Sequence, residues 1–182
     1  ELQRDLHDVA VDLTRRSGLA DRVEHVCGDA LEVPLPARTF DAAIGFLALV
    51  HIPDRPRLLR RLHAALKPGG GIYIEDLGGR APFSPADRQD LLTYVHGVSV
   101  TSSEAYVADL RAAGFTDIVA TDLTPDWMPF AAERLAAWRA DRAAIAAHQG
   151  DGAWATQEQF YAVIDQLYRG GSLAGVRLTA RH

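Results

Sequence analysis

Apolar residues recur along this chain in two alternating rhythms. Leu2, Leu6, Val9, Ala10 and Leu13 follow helical spacing and predict an opening helix that stops at Gly18. Short unbroken apolar runs follow. Val23 to Cys27 predicts a short strand ending at Gly28-Asp29, and Phe40 to Phe46 a buried strand. Between them, Leu31 to Thr39 holds two prolines and reads as a loop. Asp54 is placed to cap a helix with Pro56 in its first turn, whose inner face is Leu58, Leu59, Leu62, Ala65 and Leu66. Pro68 and the glycines at 69 to 71 end that helix and lead into a strand, Ile72 to Glu75. A strand–helix–strand unit of this kind makes its strands parallel, with a right-handed crossover.

The second half repeats the alternation. Ser84 with Asp87, and Thr101 with Glu104, predict capping boxes opening two helices, the second ending at Gly114. Phe115 to Thr121 reads as a strand. Thr124-Pro125 opens a long helix through about His148, with Trp127, Phe130, Leu135, Trp138 and Ile145 along it. Gly150 to Gly152 breaks it. Thr156 and Gln159 cap a further helix carrying Phe160, Val163, Ile164 and Leu167, and Gly170-Gly171 leads into a last strand, Leu173 to Thr179. Strands alternating with helices imply an α/β sheet. The final strand, arriving after a helical detour, fits an antiparallel edge.

Composition narrows the function classes. The chain has 182 residues, 48% of them hydrophobic, so it has material for a real core. The formal net charge is -5, with no basic stripe for phosphate contacts, which argues against nucleic-acid binding. Cys27 is the single cysteine and has no internal partner, and no Cys/His cluster suggests a metal. No apolar run approaches the length of a membrane span. The default expectation is a cytoplasmic protein whose partner is a small molecule. The chain opens at Glu1 already inside a helical pattern, which fits a piece of a longer protein.

Three stretches carry a resemblance: Cys27-Gly28-Asp29-Ala30, Phe40 to Gly45, and Lys67 to Leu77. Each is an apolar run ending in polar or glycine residues, as in a parallel sheet whose C-terminal ends face a ligand. Their order and wording resemble a class I S-adenosylmethionine-dependent methyltransferase. Within that class the chain looks most like small-molecule N-methyltransferases of the phosphoethanolamine and glycine/sarcosine/dimethylglycine kind. The carriers are Ala48 to Asp54, Ile72 to Asp76, the helix and turn from Tyr106 to Phe115, Asp122 to Trp127, and Gly170 to Arg181. The chain departs from the phosphoethanolamine enzymes at Leu77 and over Leu91 to Val98, which argues against a phosphorylated substrate. The resemblance implies a Rossmann-like, doubly wound, mostly parallel sheet with an antiparallel last strand, and S-adenosylmethionine as cofactor. Neither the family's glycine-rich loop after its first strand nor the acidic residue ending its second is found here. The expectation is therefore the C-terminal portion of a single methyltransferase domain over 1–182, with its N-terminal strands missing and a helical insertion at about 124–170. Alone, such a chain is expected neither to fold well nor to bind cofactor, and so to be inactive.

The resemblance also assigns roles. Asp29 would accept from the adenine amino group, the backbone N–H of Ala30 would donate to the ring, and Leu31 would pack on its face; the plain alternatives are a loop cap and core. Phe46 and Leu47 end a strand where cofactor and substrate meet, though Phe46 suits the core as well. His51 matches a histidine beside the methyl-accepting centre, where a neutral imidazole takes a proton or orients the acceptor; otherwise it packs under the Asp54 helix. Glu75 or Asp76 would face a substrate cation, since strand neighbours point to opposite faces. Tyr94 and His96 would line a lid, and Arg177 would meet a substrate carboxylate or form a surface pair. Tyr106, Trp127 and Trp138 suit the core better than an aromatic cage. The implied reaction is methyl transfer to a small acceptor, foremost an amine nitrogen. The alternatives are oxygen or carbon of a natural product, or a non-catalytic module.

Overall fold

The computed structural model describes residues 1–182. Strands β1 (Phe40–Phe46), β2 (Leu66–Gly79), β3 (Thr101–Ser102), β4 (Thr116–Asp122) and β5 (Leu173–Arg181) form one sheet. The order is β1-β2-β5-β4, with β3 paired to the end of β2. β1 and β3 run parallel to β2, while β5 is antiparallel to both β2 and β4. The mostly parallel α/β sheet with an antiparallel last strand is thus as the sequence predicts. β5, however, is no edge. It is threaded between β2 and β4, and Leu173, Ala174, Val176, Leu178 and Ala180 are all buried.

Two other strand expectations differ from the structure, one in its existence and one in its burial. Val23 to Cys27 forms no strand, and Val23 and Val26 stand exposed. An extended segment becomes a strand only when a neighbouring strand pairs its N–H and C=O groups in series; here isolated contacts stand in for one, such as the Glu1 ammonium on the Val26 carbonyl at 3.0 Å. β1 forms where expected but is not buried. It is an edge strand, with Ile44 67% and Phe46 62% exposed on its open face.

Helices cover the sheet from one side and across one end. Helix α1 (Arg4–Arg16) ends at Ser17 before Gly18, whose φ of 69° only glycine adopts easily, and it buries no residue. Helix α2 (Arg55–Ala65) starts at Asp54, whose carboxylate accepts the Arg57 N–H at 3.0 Å. Helix α3 (Pro85–Asp90) has the full capping box and passes into a π turn, Leu91–Val95. Helix α4 (Ser103–Ala112) is capped by Ser102 rather than Thr101, because both residues are held extended as β3. α2 and α4 pack Leu58, Leu59, Tyr106 and Leu110 against Ile72, Ile74 and Leu178 of the sheet.

Between β4 and β5 come α5 (Thr124–Ala140), α6 (Arg142–Gln149) and α7 (Asp151–Arg169). The single long helix expected here breaks at Asp141. α7 begins at Asp151, not Thr156; the Thr156 hydroxyl instead bonds the Gly152 carbonyl within the helix at 3.0 Å. α5, α7 and the π turn build a second core over the end of β2, from Leu77, Val95, Ala131, Val163 and Leu167. Gly175 in β5 admits Trp127 of α5, since a Cβ there would lie 2.6 Å from the indole. That contact fastens the helical layer to the sheet.

Candidate active site

The site grows from the end of β1. Leu47 takes a left-handed turn, φ 47°, while its N–H still donates to the Glu75 carbonyl at 2.8 Å. One 3-10 turn follows, Leu49–His51. Ser99 pins this turn: its hydroxyl donates to Leu49 O at 3.0 Å and its N–H to Val50 O at 3.0 Å. Ser99 is itself held by Arg55, whose Nη1 donates to its carbonyl at 2.6 Å. His51 stands exposed with Nδ1 3.0 Å from the His96 carbonyl. A carbonyl only accepts, so Nδ1 carries the proton and the Nε2 lone pair is left to take another.

Beneath the turn lies Asp76, 1% exposed. Its carboxylate accepts from Leu77 N–H at 3.0 Å and from the Tyr106 hydroxyl at 3.4 Å. Burial pushes its pKa up to about 6 against these hydrogen bonds, which pull the other way. The Arg55 guanidinium lies 4.1 Å over the Tyr106 ring and bonds Asp109 at 2.7 Å. Asp76 therefore supports the histidine turn from the core side and does not face a substrate cation, correcting the sequence expectation.

Its neighbour Glu75 points to the open face but is taken. Glu75 Oε1 accepts from the Tyr73 hydroxyl at 2.5 Å and from Arg177 Nε at 2.8 Å, and these bonds, the tyrosine's first, hold its carboxyl below the usual range. Glu75 and Arg177 are register partners across β2 and β5. The two satisfy each other, so Arg177 is a cross-strand ion pair rather than a free carboxylate receptor.

Asp29 accepts the Leu31 N–H through Oδ1 at 2.8 Å, while the Ala30 N–H has no partner in the chain. A free carboxylate oxygen beside a free N–H fits the amino group and ring nitrogen of an adenine. Leu31 does not present a wall; it is buried among Leu49 and Leu58. Phe46 is exposed and meets Tyr73 edge-on at 5.8 Å. Tyr94 lies exposed on the π turn outside the cavity described next, to which Val95 contributes instead. His96 contributes its carbonyl to His51.

His51 and Leu47 share one cavity of about 390 Å³, roofed by α5 and α7. Its walls include Leu77, Trp127, Phe160 and Tyr168. These roof residues were missed as site residues because helical spacing reads as core. The only available signal was the density of aromatics in the inserted helices.

A family model described as a methyltransferase domain matches residues 2–74. Over those residues the chain is similar to a methyltransferase domain, and its sheet order with the antiparallel β5 is that of the class I methyltransferase fold. Among its relatives are phosphoethanolamine N-methyltransferase 1 of Arabidopsis thaliana, 32% identical over 133 residues covering 68% of this chain and 27% of that protein. Another is 27-O-demethylrifamycin SV methyltransferase of Amycolatopsis mediterranei, 33% identical over 132 residues covering 69% of this chain and 48% of that protein. The chain thus spans between about a quarter and a half of these relatives' length. A solved phosphoethanolamine N-methyltransferase 2 of Haemonchus contortus, with phosphomonomethylethanolamine and S-adenosylhomocysteine, shares the fold at a TM-score of 0.86 and 22% identity, covering 95% of this chain and 40% of that one. No helix of the chain is long and apolar enough to cross a membrane.

Proposed function

We propose that this chain takes part in methyl transfer from S-adenosylmethionine to a small acceptor, an amine nitrogen foremost, with the acceptor bound in the cavity under α5 and α7. The observation that carries the reading is the free Nε2 of His51 at a cavity it shares with Leu47, the end of β1. The cofactor supplies a methyl group on a sulfonium, open to attack by a lone pair. Asp29 and the Ala30 N–H hold its adenine, and Phe46 and Leu47 border it. His51 accepts the proton released by a primary or secondary amine, and the His96 carbonyl keeps its ring in the accepting tautomer. Asp76, Ser99 and Arg55 hold the turn that aims it. The relatives' printed activities support an amine; the rifamycin relative supports oxygen as a second reading.

The rest of the cofactor site would come from strands added at the free edge of β1, whose exposed Ile44 and Phe46 are apolar surface awaiting cover. We place residues 1–182 in the C-terminal portion of one such domain. The test is His51→Ala in the full-length protein. Turnover of a secondary amine should fall about 10²–10⁴-fold with cofactor affinity unchanged, and the loss should shrink for a tertiary amine, which has no proton to give up. Wild-type rates from a folded variant on every amine would remove His51 from the chemistry.

A further inference from the structure

The cavity that holds His51 is one-sided in its chemistry. Eleven of its thirteen lining residues are hydrophobic, with Trp127, Phe130, Phe160 and Ile164 of the helical layer facing Leu47 and Leu77. No aspartate or glutamate is among them. The two carboxylates at the end of β2 are committed elsewhere, Glu75 to Tyr73 and Arg177, Asp76 to the core beneath. The buried Tyr168 hydroxyl has no partner, so it offers the wall one hydrogen bond and no charge. Arg134 lines the cavity from an exposed position. A simple amine sheds its one charge when it binds neutral at His51, whereas a small zwitterion or phosphorylated amine would bring a further charge into these apolar walls with little hydrocarbon to offset its loss of water. Hydrocarbon, by contrast, gains from every wall.

Building on the methyl-transfer reading, we propose that the acceptor is a predominantly apolar amine, its hydrocarbon body filling the space under α5 and α7 and its nitrogen at His51. The volume, about 390 Å³, lies in the range of roughly 300–1,000 Å³ typical of sites for drug-sized ligands, not of sites for a few heavy atoms.

The test uses the full-length protein and N-methyl-n-alkylamines from ethyl to hexyl, with phosphoethanolamine as the polar comparator. With S-adenosylmethionine present, kcat/KM should rise roughly fourfold per methylene, and phosphoethanolamine should be a poor acceptor. Phe130→Asp, at an exposed position where folding tolerates a charge, should flatten that slope. Calorimetry without cofactor reads the cavity alone, and affinity should climb with chain length. A flat chain-length series, or a preference for phosphoethanolamine, overturns the inference while leaving methyl transfer standing. Binding that grows with chain length without methylation of any amine would sustain the apolar site and refute the methyl-transfer reading.

Discussion

Replacing Asp76 by asparagine should change how stability depends on pH. In the folded chain burial raises this carboxyl from 3.8 to about 6. At roughly 1.36 kcal/mol per pH unit, that corresponds to about 3 kcal/mol. The sign follows from which state holds the proton. Below about pH 4 the group is protonated folded or unfolded and contributes nothing. Between about pH 4 and 6 the unfolded chain ionises while the native chain keeps its proton, so the wild type loses stability as pH rises. Above about pH 6 that penalty is complete. Asparagine carries no charge in either state, and it keeps a carbonyl oxygen for the N–H of Leu77. The stability of Asp76→Asn relative to wild type should therefore climb by about 3 kcal/mol from pH 3.5 to pH 7.5. Urea midpoints at half-unit intervals, for both proteins, measure it. Glu75 and Asp122, whose carboxyls lie below their ordinary values, give an opposite slope common to both proteins that cancels on subtraction. A lost hydrogen bond shifts the whole difference curve without tilting it. A difference that stays flat within about 0.5 kcal/mol, or falls with pH, refutes the burial argument.

Other outcomes follow from single contacts. Gly175→Ala should drive a methyl into the Trp127 indole and cost about 1–3 kcal/mol in chemical denaturation, with a shift in tryptophan emission as α5 moves. Asp29→Ala in the full-length protein should weaken S-adenosylmethionine binding by about 1–3 kcal/mol by calorimetry; unchanged affinity with the fold intact removes Asp29 from the adenine site. His63 stacks on His182 at 4.0 Å, and burial first, then the second imidazole, hold its pKa below 6.5. Its contribution to stability is thus present above pH 6.5 and lost as pH falls below it. Its proton resonances in His182→Ala should titrate closer to 6.5 than in wild type.

What the sequence disclosed and what it hid divide along sequence distance. β1, α2 and the run into β2 were legible because apolar runs, Asp54, Pro56 and the glycines at 69 to 71 act locally. The fate of Val23 to Cys27 was not, since a strand is decided by a partner and not by its own residues. Nor was the pairing of Glu75 with Arg177, which the register of β2 on β5 sets across the whole second half of the chain. Alternation along β2 did say that Glu75 and Asp76 point opposite ways. It could not say that one meets an arginine and the other a core tyrosine. Phe160 and Tyr168 kept the helical spacing of core residues, and only the position of α7 over the end of β2 opens a cavity between them.

The threading of β5 between β2 and β4 has a consequence on the ribosome. β4 touches the sheet only through β5, yet the helices α5 to α7 are translated between them. At about 5–20 residues per second, β4 and the bare flank of β2 wait several seconds for the strand that joins them. Throughout that interval the nascent chain carries open strand edges of the kind that recruit other chains. A message cut short before Leu173 would leave them open for good. Chaperone demand for this protein should therefore fall on the stage of synthesis before β5 emerges, and in-frame truncations that stop just before β5 should aggregate.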